Sequence, residues 1–140
     1  MAYNDPHAAP VEIEFYAEAE HLVDVRRLVE RLAGKTDLNR DQLMDLLTAV
    51  DEAVANAIRH GSPQGARSLV KVICHVLPSG LIVEVRDSGT GFTVPHSSRM
   101  PGPDSIGGRG LPLMIVLADS VEISATRKGT IVTLKKMIRA

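Results

Sequence analysis

The 140-residue sequence has no tryptophan, two phenylalanines and two tyrosines, so aromatic residues make up only 3% of it. Its core must therefore be aliphatic, built from Val, Leu, Ile and Ala. There is one cysteine, Cys74, set in an apolar stretch. That excludes a disulfide framework and reads as a buried thiol. An excess of one charge sign is also missing: 16 Lys and Arg face 17 Asp and Glu, for a formal net charge of -1. The basic residues are scattered and make no patch, so nothing invites a nucleic acid or an anionic membrane as partner. No apolar run approaches a membrane span, and no charged-then-apolar leader opens the chain. The expectation is a cytoplasmic protein.

What is present is ordinary for one globular domain: 44% hydrophobic and 24% charged residues over a length that suits one core. Residues 1–10 read as a loose tail, and residues 11–140 as the domain. Val11-Glu12-Ile13-Glu14-Phe15 alternates strictly, the mark of a half-buried strand. Leu22, Val25, Val29 and Leu32 fall on one helical stripe that Gly34 ends. Asn39 or Thr36 offers an N-cap for a longer helix ending near Gly61, with the stripe Leu43, Leu47, Val50, Val54 and Ile58. Strands follow over Ser68 to Leu77 and Leu81 to Arg86, joined at Pro78-Ser79-Gly80.

The stretch from Ser88 to Arg109 lacks periodicity and is rich in Gly and Pro; loops of that length are uncommon unless functional. A helix is expected over Leu111 to Ala118, with Pro112 in its first turn. Two last strands, Val121 to Ala125 and Thr130 to Met137, turn on Arg127-Lys128-Gly129. The fold class is α+β, with helices covering one face of a largely antiparallel sheet.

Four local signals carry chemistry. On the long helix Glu52 and Asn56 stand one turn apart, beside the small residues Ala49, Ala53 and Ala57. By angle the pair lies opposite the Leu43/Val50/Val54 stripe. A carboxylate can polarise an attacking hydroxyl, and a neutral amide oxygen can coordinate Mg²⁺ without overcharging the site. Alone, such a pair is most often a solvated helix face.

Asp87-Ser88-Gly89-Thr90-Gly91 follows a strand directly. Asp87 can accept from an exocyclic amino group such as adenine's, and Gly89 and Gly91 let backbone approach a flat ring; a plain turn has the same look. Gly107-Gly108-Arg109-Gly110-Leu111 opens a helix, where free N–H groups and Arg109 suit an anion, though a hinge is as good a reading. It is neither a P-loop nor a dinucleotide fingerprint. Thr130, after Gly129, offers a hydroxyl near Asp87.

Together and in this order, the four signals closely resemble the GHKL (Bergerat-fold) ATPases over roughly Val11 to Met137. Glu52…Asn56 looks like the family's N box. Asp87 to Gly91 looks like its first glycine box, and Gly108-Arg109-Gly110-Leu111 like its second. The closest likeness is to the bacterial anti-sigma-factor serine/threonine kinases, in the stretch Ala49 to Gly61, in Gly110-Leu111-Pro112-Leu113-Met114, and in a chain that opens with strand and helix and closes after the final hairpin.

The resemblance implies a two-layer ATP-binding fold, Mg²⁺ and ATP as ligands, and a lid at about 92–109, although Phe92 to Ile106 matches no family pattern. It implies Glu52 as general base and Asn56 as Mg²⁺ ligand. The other nucleotide contacts would be Arg59, His60, Asp87, Gly89, Gly91, Gly108, Arg109, Gly110, Leu111 and Thr130. It also implies a homodimer that binds a sigma factor, phosphorylates a serine of a STAS-type anti-anti-sigma protein, and uses Arg26 of the first helix as a partner contact; a surface arginine lying along apolar residues is the plainer reading. A stressosome-type switch kinase and a non-catalytic ATP-gated binding module share the architecture. A sensor histidine kinase is disfavoured, because no phosphoacceptor helix precedes the domain.

Overall fold

The computed structural model describes residues 9–88, 117–126 and 129–138. Strand β1 (Val11–Tyr16) keeps the alternation of its sequence, with Phe15 buried, Val11 and Ile13 packed beneath, and Glu12, Glu14 and Tyr16 outward. A turn of 3-10 helix at Ala19–His21 leads into helix α1 (Leu22–Ala33). Its buried residues Val25, Leu28, Val29 and Leu32 recur at helical spacing.

Helix α2 (Arg40–His60) starts on a capping box. Asn39 Oδ1 accepts from the Gln42 N–H at 2.8 Å, and Gln42 Oε1 accepts from the Asn39 N–H at 2.9 Å. Thr36, the other candidate cap, instead donates to the Ala33 carbonyl at 2.7 Å and closes α1.

The buried face of α2 differs from the stripe expected for it. Leu43 and Ile58 are only half-buried, whereas Leu46, Leu47, Ala49, Val50, Ala53, Val54, Asn56 and Ala57 are buried. The arc is wider because α2 packs against α1 and also against the sheet. The alanines are thus core residues, and Asn56 sits on the buried flank rather than on an open face opposite the core.

Four more strands follow: β2 (Leu69–Leu77), β3 (Gly80–Arg86), β4 (Ser120–Thr126) and β5 (Gly129–Met137). The sheet order is β1-β2-β3-β5-β4, and each neighbouring pair is antiparallel. Register aligns the inward rows, with Val72 across from Val85 and Val85 across from Val132. Beside them Cys74, Val83 and Leu134 complete the aliphatic layer under the helices. Lys136, 9% exposed, donates to the Leu117 carbonyl at 2.9 Å and pairs with Asp45 at 3.5 Å and Asp119 at 3.6 Å, which fastens β5 to α2 and to the chain entering β4.

Of the helix expected over Leu111 to Ala118 only its last residues are described, and Arg127 and Lys128 of the last turn lie outside the described residues. Among the described residues no helix is long and apolar enough to cross a membrane.

Candidate functional site

The C-terminal end of α2, the end of β3 and the start of β5 converge on Asp87. This residue follows β3 directly, so the antiparallel ladder carries it across from Thr130. Its N–H donates to the Thr130 carbonyl at 3.0 Å, and its Oδ1 accepts from the Thr130 N–H at 3.1 Å. Two glycines make room for it. A Cβ on Gly61, the residue that ends α2, would lie 2.1 Å from Asp87 Oδ2. A Cβ on Gly129, whose φ is +144°, would lie 1.8 Å from the Asp87 carbonyl oxygen.

Two buried polar atoms near this junction lack partners among the described residues: Thr130 Oγ1 and Asn56 Nδ2. Thr130 is fully buried and Asn56 is 3% exposed. Leaving a buried donor or acceptor unmet costs about 1–3 kcal/mol, so such atoms call for a partner, which a ligand or an ordered water can supply. Asn56 Oδ1 accepts from Arg59 Nη2 at 3.1 Å. An amide oxygen has a second lone pair, so this bond leaves capacity for a cation. Glu52, half-buried, stands one turn ahead of Asn56 on the same helix.

Asp51, next to Glu52, is held by a different partner. Arg26 of α1 donates through Nη1 to Asp51 Oδ2, tying the two helices together. Asp51 Oδ1 is buried with no partner among the described residues. Burial pushes the Asp51 carboxyl above its ordinary range, while the Arg26 guanidinium pulls it the other way.

Fold and register thus bring Asp87 and Thr130 together, and α2 aligns Glu52, Asn56 and Arg59 along its last turns. Arg59 and His60 are exposed at the end of α2, Arg59 reaching back to Asn56. The guanidinium of Arg26 is paired with Asp51. Gly89, Gly91, Gly108, Arg109, Gly110, Leu111 and the lid expected at about 92–109 lie outside the described residues. Sequence reasoning had no role for Gly61 beyond ending a helix, and none for Asp51. The first signal exists only once Asp87 is placed against Gly61, and the second only once α1 lies beside α2.

The residues present suit a magnesium nucleotide: an orphaned amide and hydroxyl, and a carboxylate fixed at a strand end between two glycines that make room for it. Comparisons with known proteins identify the family. The model of the histidine kinase-like ATPase domain matches residues 15–136. The chain is 31% identical over 133 residues to the anti-sigma F factor of Heyndrickxia coagulans, covering 90% of each chain. It is 26% identical over 136 residues to the anti-sigma F factor of Clostridium novyi (strain NT), covering 93% of this chain and 95% of that one.

Among solved structures, the RsbU and RsbW domains of Rv1364c from Mycobacterium tuberculosis align with a TM-score of 0.68 at 19% identity, over 93% of this chain and 32% of that longer one. The histidine kinase domain of the Erythrobacter litoralis EL346 blue-light activated histidine kinase aligns with a TM-score of 0.55 at 20% identity, over 87% of this chain and 61% of that one. These two likenesses speak for the fold. With a family model spanning most of the chain, the conclusion is direct: this protein belongs to the histidine kinase-like ATPase (GHKL) family, an ATP-binding family whose members here include anti-sigma F factors.

Proposed function

We propose that the chain is an anti-sigma factor with protein serine kinase activity. It binds a sigma factor, and with Mg-ATP it phosphorylates a serine of a STAS-type anti-anti-sigma protein, acting as a homodimer in the cytoplasm. The observation that carries the reading is the buried, half-satisfied Asn56 one turn from Glu52, on a helix that ends against Asp87. The curated relatives named anti-sigma F factors set the class of partner.

In this reading Asp87 accepts from the adenine amino group, with Thr130 beside it and Gly89 and Gly91 along the ring. Gly108, Arg109, Gly110 and Leu111 cradle the phosphates, and Arg59 and His60 add contacts from the end of α2. Asn56 holds the magnesium ion, which when bound offsets charge on the phosphates. Glu52 takes the proton from the substrate serine as its oxygen bonds to the γ-phosphorus. The bond from that phosphorus to the bridging oxygen breaks, ADP leaves, and the proton passes from Glu52 to solvent. Arg26, on α1, contacts the protein partner.

The test joins two measurements. Calorimetry with Mg-ATP should show binding that Asp87→Asn weakens, because an amide can present a donor where adenine needs an acceptor. Labelled ATP should pass phosphate to a purified anti-anti-sigma protein of the same organism, on serine. Binding without transfer would leave an ATP-gated binding module, and no binding at all would sink the assignment.

A further inference from the structure

The ion pair between Arg26 and Asp51 has the features of a contact made to be exchanged. It bridges α1 to the turn of α2 that carries Glu52. Yet it is not sealed into the core: the side chains keep 37% and 30% of their exposure. Val23, one turn ahead of Arg26 on α1, is 51% exposed, so this stretch of the helix also presents an apolar side chain to solvent.

The pair is also poorly completed. Asp51 Oδ1 is buried with no partner among the described residues, so one carboxylate oxygen is met and the other is not. A permanent lock between helices gains most when both oxygens are bonded to the planar fork of an arginine. A half-met network is costly to keep and cheap to give up.

We propose that Asp51 is an internal competitor for Arg26: it holds the guanidinium on α2 until a carboxylate of a docking protein displaces it. This rests on the reading that Arg26 contacts the partner, and adds what Arg26 does before the partner arrives. Two discrete arrangements follow, with Arg26 on Asp51 in the free protein and on the partner's acid in the complex. A partner must therefore break one ion pair to make another. Asp51 lowers affinity by the same factor for every partner that takes Arg26 and leaves unaffected one that binds without it, so it separates Arg26-dependent partners from the rest. Because Asp51 is the neighbour of Glu52, the exchange happens beside the catalytic turn.

The experiment is a double-mutant cycle read as partner affinity. The probes are purified sigma factors of the same organism, each titrated in the presence of Mg-ATP. Arg26→Ala should weaken the complex. Asp51→Asn should tighten it about fivefold, the equivalent of about 1 kcal/mol for one released surface pair. In the Arg26→Ala background, Asp51→Asn should change nothing. ATP affinity should stay the same in all three variants. A residue that merely braced the helices would loosen the complex on substitution, so tightening is the discriminating result.

Asp51→Ser serves as a second variant should the first melt early, and circular dichroism checks both. If Arg26→Ala weakens binding but neither Asp51 variant tightens it, the competition is overturned while the partner contact stands. If Arg26→Ala leaves affinity unchanged, or no sigma factor binds, the underlying reading falls and the inference with it.

Discussion

Gly61 and Asp87 lie in contact across 26 positions of sequence, close enough that a Cβ at 61 would stand 2.1 Å from Asp87 Oδ2. The end of α2 therefore presses on the carboxylate that Thr130 holds from the other side at 3.1 Å. Helix and sheet meet at one side chain, and its position depends on a missing methyl group.

Gly61→Ala should displace Asp87 without unfolding the domain, since Gly61 lies at a helix end and has ordinary backbone angles. Losing one charge-assisted hydrogen bond to adenine is worth about 1.5–3 kcal/mol, which is about tenfold or more in ATP affinity. Calorimetry with Mg-ATP reads this directly, with the melting curve as control. Full affinity in a folded Gly61→Ala protein would separate Asp87 from nucleotide binding.

Glu52 and Asn56 share a helix face but should fail differently. Glu52→Gln is expected to keep ATP binding and lose about 10²–10⁴-fold in phosphate transfer, the usual scale for a general base. Asn56→Ala should instead weaken the magnesium-dependent part of binding. Titrations with and without Mg²⁺, run beside a transfer assay, distinguish the two; robust transfer by Glu52→Gln would assign the base elsewhere.

Thr130→Val offers a test in which stability and binding move in opposite directions. The hydroxyl is buried with no partner among the described residues, and valine has nearly its shape. Without nucleotide the variant should be more stable, by about 1 kcal/mol, because an unmet polar atom is removed. With saturating ATP that gain should shrink or reverse. Thermal melts in both conditions measure it, and an equal gain in both would mean that the hydroxyl never meets the ligand.

Cys74 should be chemically silent in the folded protein. It is fully buried, and burial pushes its thiol from 9.0 up to about 11. A raised acid pKa means that the folded state keeps a proton that the unfolded chain releases. Stability tied to this group is therefore whole below pH 9 and is lost as pH rises toward about 11. A thiol reagent at pH 8 should react only as urea unfolds the chain, and the urea midpoint should fall between pH 9 and 11. Fast labelling of the native protein would place Cys74 at the surface.

Much of this was legible along the chain because it depends on local rules. Alternation marks β1, the 3.6-residue repeat marks α1, and Asn39 is one of two residues, with Thr36, that can cap the start of α2. Glu52 and Asn56 fall one turn apart whatever the helix packs against, and Asp87 falls at a strand end wherever that strand lies. Spacing alone therefore determined the order of elements, the strand and helix periods, and the types of residue available for chemistry.

Tertiary structure decided what depends on neighbours remote in sequence. The wide buried arc of α2 arises because α1 and the sheet both lie on it, which took Ala49, Ala53 and Ala57 into the core and Asn56 onto a buried flank. The alliance of Arg26 with Asp51, and the seat of Asp87 between Gly61 and Thr130, exist only after the helices settle on the antiparallel ladder. Periodicity assigns a side chain to a face; only packing determines what that face meets, because the contact energy belongs to pairs of residues and not to either one.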